Sequence, residues 1–322
     1  MKRKLVEVAF EVTYKCNLRC SHCYNIKNLA KDKDELNTAE VFLALQKLKK
    51  AGVEKIKFGG GEPLLRLDFF QIYNHARELG FDVNFSSNGL LILPNMKRII
   101  DNYIDKLQIS LDNVDQKHDL FRGKKGLFSI VEESIKELTK HHVKINIATT
   151  LTNDNKDDLE GIYSFCKENN VARWKIMKYI PKDLFDNLLI SKKDYETTIN
   201  KLLEMKNNYA ESPEIIVARE FNLIKTPKDY NDMQCFGGKS FFSLKPNGMV
   251  TPCSYIDNID CGNIKTLSVG EIWNNPKIVE FSEDCYDKNC LFGDKCFGGC
   301  KALNYKLTNN PGCDPYCWVK KS

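Results

Sequence analysis

The sequence lacks several features that would assign a protein class at once. No apolar run approaches the roughly 20 residues that a membrane-spanning helix needs. The basic N-terminus is followed by no apolar stretch or small-residue cleavage site, so we expect no signal peptide and a cytoplasmic location. Lys and Arg number 48 against 43 Asp and Glu, and the net charge of +5 gives no reason to expect nucleic acid or a membrane as partner.

Composition also excludes disorder and collagen. Hydrophobic residues make up 42% and charged residues 28% of the chain, as in ordinary globular proteins. A length of 322 residues suits one large domain or two smaller ones.

Cysteine is the abundant exception. The chain has 13, an odd number and too sparse for a small disulfide scaffold. In a reducing compartment, clustered cysteines more often bind metal than form disulfides. The cysteines are therefore the first place to look for function.

The first two thirds of the chain alternate between two periodicities. Six β-branched or apolar runs predict strands, each followed by a segment with helical spacing of apolar residues. In the first helical segment, at 38–52, Thr38 is a candidate N-cap. The predicted strands are 6–13, 55–58, 82–86, 106–111, 144–150 and 174–179; the predicted helices are 38–52, 69–79, 96–102, 128–141, 157–169 and 192–207.

Six successive β-then-α units favour a parallel sheet with right-handed crossovers. An open, partial barrel and a doubly wound flat sheet both remain compatible with the periodicity. The alternation stops near Tyr209, and nine of the cysteines lie between Cys235 and Cys317. We expect a domain at 1–212, a linker at 213–234 and a small cysteine-rich domain at 235–322.

The first cysteine cluster follows the first predicted strand, at the sheet edge where α/β enzymes place their sites. Cys16, Cys20 and Cys23 have the spacing C-x3-C-x2-C. A structural zinc site is normally closed by four ligands, whereas a [4Fe–4S] cluster on three cysteines leaves one iron open. The alternative is a zinc site completed by His22 or by a distant residue.

This triad after a first strand resembles the signature of the radical S-adenosylmethionine (SAM) superfamily. In that family the amino and carboxylate groups of SAM chelate the open iron. The residue before the third cysteine is usually aromatic there, whereas this chain has His22. The resemblance implies a [4Fe–4S] cluster, SAM as a cofactor and a partial (β/α)6 barrel.

Further motifs follow in the family's order, namely FGGGEPLL at 58–65, FSSNG at 85–89, KLQISLDNV at 106–114 and HDLFRGKKGLF at 118–128. The resemblance places the GGE residues at the SAM amino group, and the serine and aspartate of the third motif near its ribose or carboxylate. Arginine suits the SAM carboxylate because its guanidinium fork matches that geometry. The implied SAM-binding residues are Gly60, Gly61, Glu62, Ser87, Asn88, Ser110 and Arg122, with Asp112 a further candidate.

Two sulfur-containing residues outside these motifs have plainer interpretations. Met177, on the sixth strand, is a further candidate SAM contact, although buried methionine commonly fills cores. Cys166 lies on the apolar face of a predicted helix, so we interpret it as a buried structural thiol.

The C-terminal cysteines resemble a second family element. The sequence Pro246-Asn247-Gly248 predicts a hairpin turn, and Cys290-x5-Cys296-x3-Cys300 follows it. Together these features resemble the SPASM domain, which holds one or two auxiliary [4Fe–4S] clusters in a subset of radical SAM enzymes. The alternative is a structural module with two zinc ions.

The resemblance implies two auxiliary clusters with crossed ligation, the first on Cys235, Cys253, Cys261 and Cys300, the second on Cys285, Cys290, Cys296 and Cys317. Two departures leave this partition open. Asp287 stands where the family often has a cysteine, and is an alternative ligand. Cys313 competes with Cys317 as the last ligand.

From the family we expect reductive cleavage of SAM to a 5′-deoxyadenosyl radical that removes a hydrogen atom from a peptide or protein, in a cross-linking or oxidation reaction. An external flavodoxin- or ferredoxin-type protein would donate the electron. Because Cys16 lies so near the start, we expect any leader recognition to come from another chain, which favours the runner-up, oxidation of a small cofactor precursor such as a tetrapyrrole. A non-catalytic iron–sulfur or zinc protein is the third hypothesis. The catalytic acid or base is not identifiable from the sequence.

Overall fold

The computed structural model describes residues 3–29, 34–181, 186–209, 212–217, 235–283, 298–310 and 312–317. The predicted auxiliary ligands Cys285, Cys290 and Cys296, and the alternative ligand Asp287, lie outside these ranges.

The chain divides into two compact units, each assembled from separate stretches of sequence. The first contains Met1–Ser110, Asp115–Ile145 and Phe236–Ser282; the second contains Leu111–Val114, Asn146–Cys235 and Glu283–Ser322. Residues 236–282 of the cysteine-rich region therefore belong to the same unit as the N-terminal strands.

The described residues form nine strands. They are β1 (Glu7–Thr13), β2 (Lys55–Gly60), β3 (Asp82–Ser87), β4 (Lys106–Ser110), β5 (Lys144–Leu151), β6 (Arg173–Lys178), β7 (Glu214–Val217), β8 (Phe241–Leu244) and β9 (Val250–Thr251).

Ten α-helices fall within the same ranges, mostly between the strands. They are α1 (Thr38–Lys50), α2 (Phe69–Glu78), α3 (Met96–Asp101), α4 (Gln116–Arg122), α5 (Leu127–Lys140), α6 (Leu159–Glu168), α7 (Lys192–Asn208), α8 (Val269–Trp273), α9 (Pro276–Ser282) and α10 (Lys301–Thr308). None of them has the length and apolarity that crossing a bilayer requires.

Strand pairing is parallel through most of both units. In the first unit the order is β4-β3-β2-β1-β8-β9, with only β8 and β9 antiparallel; in the second it is β7-β6-β5. In each unit the order runs in a line and does not close into a ring. The predicted parallel α/β class is confirmed, and the six predicted strands match β1 to β6 within two residues at either end.

Parallel pairing brings the carboxyl ends of the strands to one edge. Thr13 at the end of β1 pairs with Gly60 at the end of β2, after a register shift in β1. Val8, Phe10 and Val12, on one face of β1, are almost fully buried, and on the other face Glu11 and Thr13 are buried toward the end of the strand. The loop carrying the first cysteine cluster thus leaves a rigid, buried strand.

Two details of the fold differ from the sequence-based expectations. The N-cap of α1 is Asn37, not Thr38, because the Asn37 side chain accepts from Glu40 N at 3.0 Å in a capping box, while the Thr38 hydroxyl donates to Asp68. Strand β7 lies within the segment expected as a linker, pairing with β6. The proline before Glu-Ile-Ile-Val hid this short strand in the sequence.

The predicted hairpin turn at Pro246-Asn247-Gly248 is confirmed. It joins β8 to β9, with Lys245 N donating to Met249 O at 2.8 Å. Gly248 has φ of +87°, which a residue with a side chain rarely adopts. On its other side β8 pairs in parallel with β1, so the hairpin is part of the first unit.

Candidate active site

A carboxylate from outside the motif fixes the start of the first cysteine loop. Glu35 Oε1 accepts from the Thr13 hydroxyl at 2.9 Å and from Tyr14 N at 2.6 Å. The same hydroxyl accepts from Lys15 N at 3.0 Å. Glu35 carries no motif, and sequence reasoning missed it.

The three predicted ligands of the first cluster lie on this loop as half-buried thiols that form no disulfide. Cys23 N donates to Cys20 O at 3.2 Å, which closes a tight turn between them. Burial, followed by the neighbouring thiolates of Cys20 and Cys16, raises the pKa of Cys23 to about 11. The three sulfur atoms therefore share one electrostatic environment. Within the described ranges, no group of three or more His, Cys, Asp or Glu side chains has the arrangement of a metal-ion site.

The glycines of the second motif bring β2 into contact with this loop. A Cβ on Gly61 would lie 2.0 Å from Lys15 O, and one on Gly60 would lie 2.4 Å from Thr13 O. Gly61 N donates to Thr13 O at 2.7 Å, and Glu62 N donates to Lys15 O at 2.8 Å. Backbone packing thus explains why glycine is required here, and it fixes Glu62 beside the cysteine loop.

Glu62 is a fully buried carboxylate. It accepts from the Ser87 hydroxyl at 3.1 Å, from Asn88 N at 2.8 Å and from Leu64 N at 3.2 Å. Desolvation raises its pKa to about 7, although these hydrogen bonds and the Arg122 cation act in the opposite direction. The structure therefore brings together three predicted SAM-binding residues from two neighbouring strand ends.

Asn88 links this group to the first cysteine. Its side-chain amide donates to Asn17 Oδ1 at 2.8 Å and approaches Cys16 Sγ at 3.9 Å. Amide donors to a ligand sulfur are a common way in which proteins orient and tune a metal centre. Asn17 is a second residue that no motif indicated.

Arg122 reaches the same region from the end of α4. Its side chain is 6% exposed, and its charge acts on Glu62, Cys16 and Cys23. Gly123 ends α4 with a φ of +68°, which lets the chain turn immediately after the arginine.

The residue that departs from the family pattern, His22, stacks on Phe121. The ring centroids are 4.4 Å apart, with planes inclined by 11°. Ser21 N and the Ser21 hydroxyl donate to Phe121 O at 3.2 and 3.1 Å. A flat imidazole thus occupies the place of the usual aromatic ring and ties the loop to α4.

The remaining SAM candidates lie on or next to other strands. Ser110 lies half-buried at the end of β4, and Met177 lies half-buried on β6. Asp112 is fully buried and accepts from Thr150 N at 2.8 Å, a role within the second unit's backbone. Cys166 is fully buried on α6, with a pKa raised by desolvation, which agrees with a structural thiol.

Two predicted auxiliary ligands, Cys253 and Cys261, belong to the first unit. Cys253 follows β9, and its carbonyl accepts from the Thr251 hydroxyl at 3.0 Å and from Ile256 N at 3.1 Å. Cys261 is fully buried, and its N donates to Val250 O at 2.9 Å. The hairpin therefore carries both thiols on short, well-bonded loops.

Four of the C-terminal cysteines that the structure describes belong to the second unit. Cys235, Cys300 and Cys317 form no disulfide, whereas Cys313 is disulfide-bonded. Asp314 connects Cys300 and Cys317: its carboxylate accepts from Cys300 N at 3.2 Å, and its backbone carbonyl accepts from Cys317 N at 3.1 Å.

The residues of the first cysteine loop fit an iron–sulfur cluster with SAM beside it. The donors are three thiols in mutual electrostatic range, with an amide near one sulfur and a guanidinium acting on two. Such groups stabilise the negative charge of a thiolate-bound cluster. A buried carboxylate next to them suits the amino group of SAM.

Comparison with known proteins agrees with this interpretation. The radical SAM superfamily profile matches residues 10–166, and that of SPASM, an iron–sulfur cluster-binding domain, matches residues 235–300. The chain belongs to the radical SAM superfamily, whose members are enzymes that use SAM and [4Fe–4S] clusters. Within it, the chain is one of the members that carry a C-terminal SPASM domain.

Several relatives align along most of the chain. AdoMet-dependent heme synthase of Oleidesulfovibrio alaskensis is 28% identical over 330 residues, which cover 94% of this chain and 84% of that protein. The sporulation killing factor maturation protein SkfB of Bacillus subtilis is 26% identical over 299 residues, which cover 91% and 69%. The solved structure of anSMEcpe with bound AdoMet and Cp18Cys peptide has a TM-score of 0.79 at 19% identity, covering 97% and 93%. At that identity the structural likeness establishes the fold alone.

Proposed function

We propose that this radical SAM enzyme oxidises a side chain of a tetrapyrrole, in a reaction that yields or prepares heme. The observation that carries this proposal is the similarity to an AdoMet-dependent heme synthase, which spans both the superfamily region and the SPASM region. This similarity favours the second hypothesis from the sequence, oxidation of a small cofactor precursor, over the first, modification of a peptide or protein.

We assign the first cluster to Cys16, Cys20 and Cys23, with Asn88 oriented toward the sulfur of Cys16. When bound, this cluster and SAM supply the one-electron cleavage that produces a hydrogen-abstracting radical. The electron would come from an external flavodoxin- or ferredoxin-type protein.

The surrounding residues bind and orient SAM. The carboxylate of Glu62, held by Ser87 and Asn88, accepts from the SAM amino group. Arg122 pairs with the SAM carboxylate, since its buried charge already acts on Glu62 and the cysteine loop. Ser110, at the neighbouring strand end, is assigned to the ribose.

The predicted auxiliary ligands would hold iron–sulfur clusters, which would supply an acceptor for the electron that the substrate releases. Oxidation removes one hydrogen atom and then one electron from the substrate. Cys253 and Cys261, together with Cys235 and Cys300, are assigned to the first auxiliary cluster. Cys285, Cys290, Cys296 and Cys317 are assigned to the second.

Substrate conversion after anaerobic reconstitution tests this function. With SAM and a strong reductant, we expect an iron porphyrin bearing propionate side chains to lose mass while 5′-deoxyadenosine accumulates. The Cys23→Ala variant should lose both products, and Cys166→Ala, which removes a fully buried thiol on α6, should keep both. An unchanged porphyrin in the presence of continued 5′-deoxyadenosine formation would contradict the proposal.

Peptide or protein modification is the second candidate. The similarity to SkfB, a maturation protein, favours it. Incubation of the same reconstituted enzyme with candidate precursor peptides separates the two functions, since a mass change in a peptide with an unchanged porphyrin would select this one.

A further inference from the structure

A buried ion pair in the first unit is hydrogen-bonded to the residues that follow two of the cysteines, Cys23 and Cys253. Lys245 Nζ, just after β8, is 2.7 Å from Glu11 Oε1 on β1, and both side chains are only 3% exposed. We call Glu11, Lys245, Tyr24, Ser254 and Tyr255 the Glu11–Lys245 cluster. Neither charged residue belongs to a motif that the proposed function uses.

The polar groups of this cluster are well bonded to one another. Glu11 Oε1 also accepts from the Ser243 hydroxyl at 3.3 Å and from Tyr24 Oη at 3.4 Å. Lys245 Nζ donates a second hydrogen bond to Ser254 O at 2.9 Å. A buried network satisfied in this way is rigid, because each lost bond would leave a desolvated polar group.

The cluster's members adjoin ligands assigned to two different centres. Tyr24 directly follows Cys23, while Ser254 and Tyr255 directly follow Cys253. The rings of Tyr24 and Tyr255 meet edge to face, with centroids 4.9 Å apart. The chain segments after the two cysteines are thus joined by side-chain contact.

A second connection runs parallel to the first. Asn28 Nδ2 donates to Asn25 Oδ1 at 2.9 Å and to Asp257 Oδ2 at 3.0 Å, and Asn25 Nδ2 reaches Glu11 Oε2 at 3.5 Å. Residues 24–28 therefore contact residues 254–257 at two points. An ion pair that served only to stabilise the fold would not need hydrogen bonds that extend to both segments. Well-packed apolar residues would stabilise the fold equally well.

We propose that the Glu11–Lys245 cluster is a positioning device that holds the Cys23 loop and the Cys253 loop at a fixed separation, so that electrons pass between the two centres. This inference rests on the proposed assignment of the two cysteines to separate clusters. SAM cleavage consumes one electron, and the substrate releases one after losing a hydrogen atom. The two cancel when the released electron returns to the first centre, so no further oxidant is needed.

The test follows electron passage without any substrate. The reconstituted enzyme is fully reduced, freed of reductant and mixed with SAM, and 5′-deoxyadenosine is measured with time. We expect a fast phase from the first centre and a slower phase fed by electrons from the auxiliary centre. In Lys245→Met the rate of the slow phase should fall roughly tenfold, which is the size of effect typical of losing an outer-shell partner. The rate of the fast phase and the iron content should stay unchanged.

Two further variants complete the design. Lys57→Met is the matched control. Lys57, on β2, makes a 2.7 Å but exposed ion pair with Glu7, which lies on β1 as Glu11 does. This variant should behave as wild type. Tyr24→Phe removes one hydrogen bond to Glu11 and keeps the ring, so it should slow the same phase to a smaller degree. It decides the question if Lys245→Met loses iron or does not fold.

Unchanged slow phases, or equal slowing of both phases, would overturn the positioning role. Absence of 5′-deoxyadenosine from the wild type would instead overturn the proposed function. The two failures are therefore distinguishable.

Discussion

The strongest stability prediction concerns the buried ion pair between β6 and the C-terminal residues. Lys178 Nζ lies 2.5 Å from Asp314 Oδ2, and the two side chains are 4% and 0% exposed. The Asp314 carboxylate also accepts from the backbone N of Cys300 and, at 2.8 Å, of Tyr316. Replacing Lys178 with methionine keeps the length of the side chain and removes its charge.

The expected cost is large, because the carboxylate stays behind without its cation. Breaking a buried pair by removing one partner costs about 3–5 kcal/mol. The double variant Lys178→Met/Asp314→Asn should be more stable than Lys178→Met alone, since no unpaired charge remains and the amide oxygen still accepts from a backbone N–H.

The comparison is valid near neutral pH. Burial lowers the pKa of Lys178, but Asp314 and the neighbouring Tyr195 and Cys300 more than offset this, so the net pKa lies above its ordinary value of 10.5. For a base with a raised pKa, the stabilisation is fully present below the unfolded pKa and is lost as the pH rises through the folded one.

Urea unfolding at pH 7.5 measures the effect through the midpoint and the slope. The matched control is Arg173→Met, which removes an exposed 2.8 Å pair with Glu214 from the other end of β6. An exposed pair contributes at most about 1 kcal/mol. A Lys178→Met variant no less stable than this control would refute the reasoning.

Three other predictions follow from the site. Gly61→Ala should abolish 5′-deoxyadenosine formation, because its Cβ would lie 2.0 Å from Lys15 O; Gly59→Ala, with open space around its Cβ, should retain activity. The raised pKa of Glu62, about 7 against 4.5, should make the metal-free protein less stable by about 3 kcal/mol as the pH rises between those values. Urea unfolding across that range should show this loss in the wild type and not in Glu62→Gln. Cys166→Ala should keep its full iron content in metal analysis and lose only about 1 kcal/mol of stability, and a loss of iron would identify Cys166 as a ligand.

Local sequence patterns were enough to predict most of the strands and helices. The runs that become β1 to β6 are rich in β-branched and aromatic residues, and the helices between them show clear apolar periodicity. Gly52 and Gly80 close α1 and α2 with φ of +83° and +77°, as expected of helix C-termini. Strand β7 was missed because four residues after a proline give too short a pattern.

The site was predictable only where its residues lie in linear motifs. Three cysteines within eight residues are visible at once, and the glycines before Glu62 mark a close approach of backbone. Glu35 and Asn17 have no such spacing, and neither does the pair of Glu11 with Lys245, separated by 234 positions. Such contacts depend on which strands become neighbours, and the parallel pairing of β1 with β8 brought these two together.

The substrate was the least predictable feature. Radical SAM enzymes of both kinds use SAM and a [4Fe–4S] cluster, so the residues proposed for that chemistry, among them Cys16, Glu62 and Arg122, do not distinguish a peptide from a tetrapyrrole substrate. Only similarity along the whole chain changed the order of the two hypotheses.

The central claim is that three cysteines hold a cluster whose open iron binds SAM. Electron–nuclear double resonance on the reduced enzyme with SAM labelled at its amino nitrogen tests this directly. We expect a hyperfine coupling from that nitrogen to the cluster, present in the wild type and in Cys166→Ala and absent from Cys23→Ala. An iron-loaded wild-type enzyme that shows no such coupling would contradict the account.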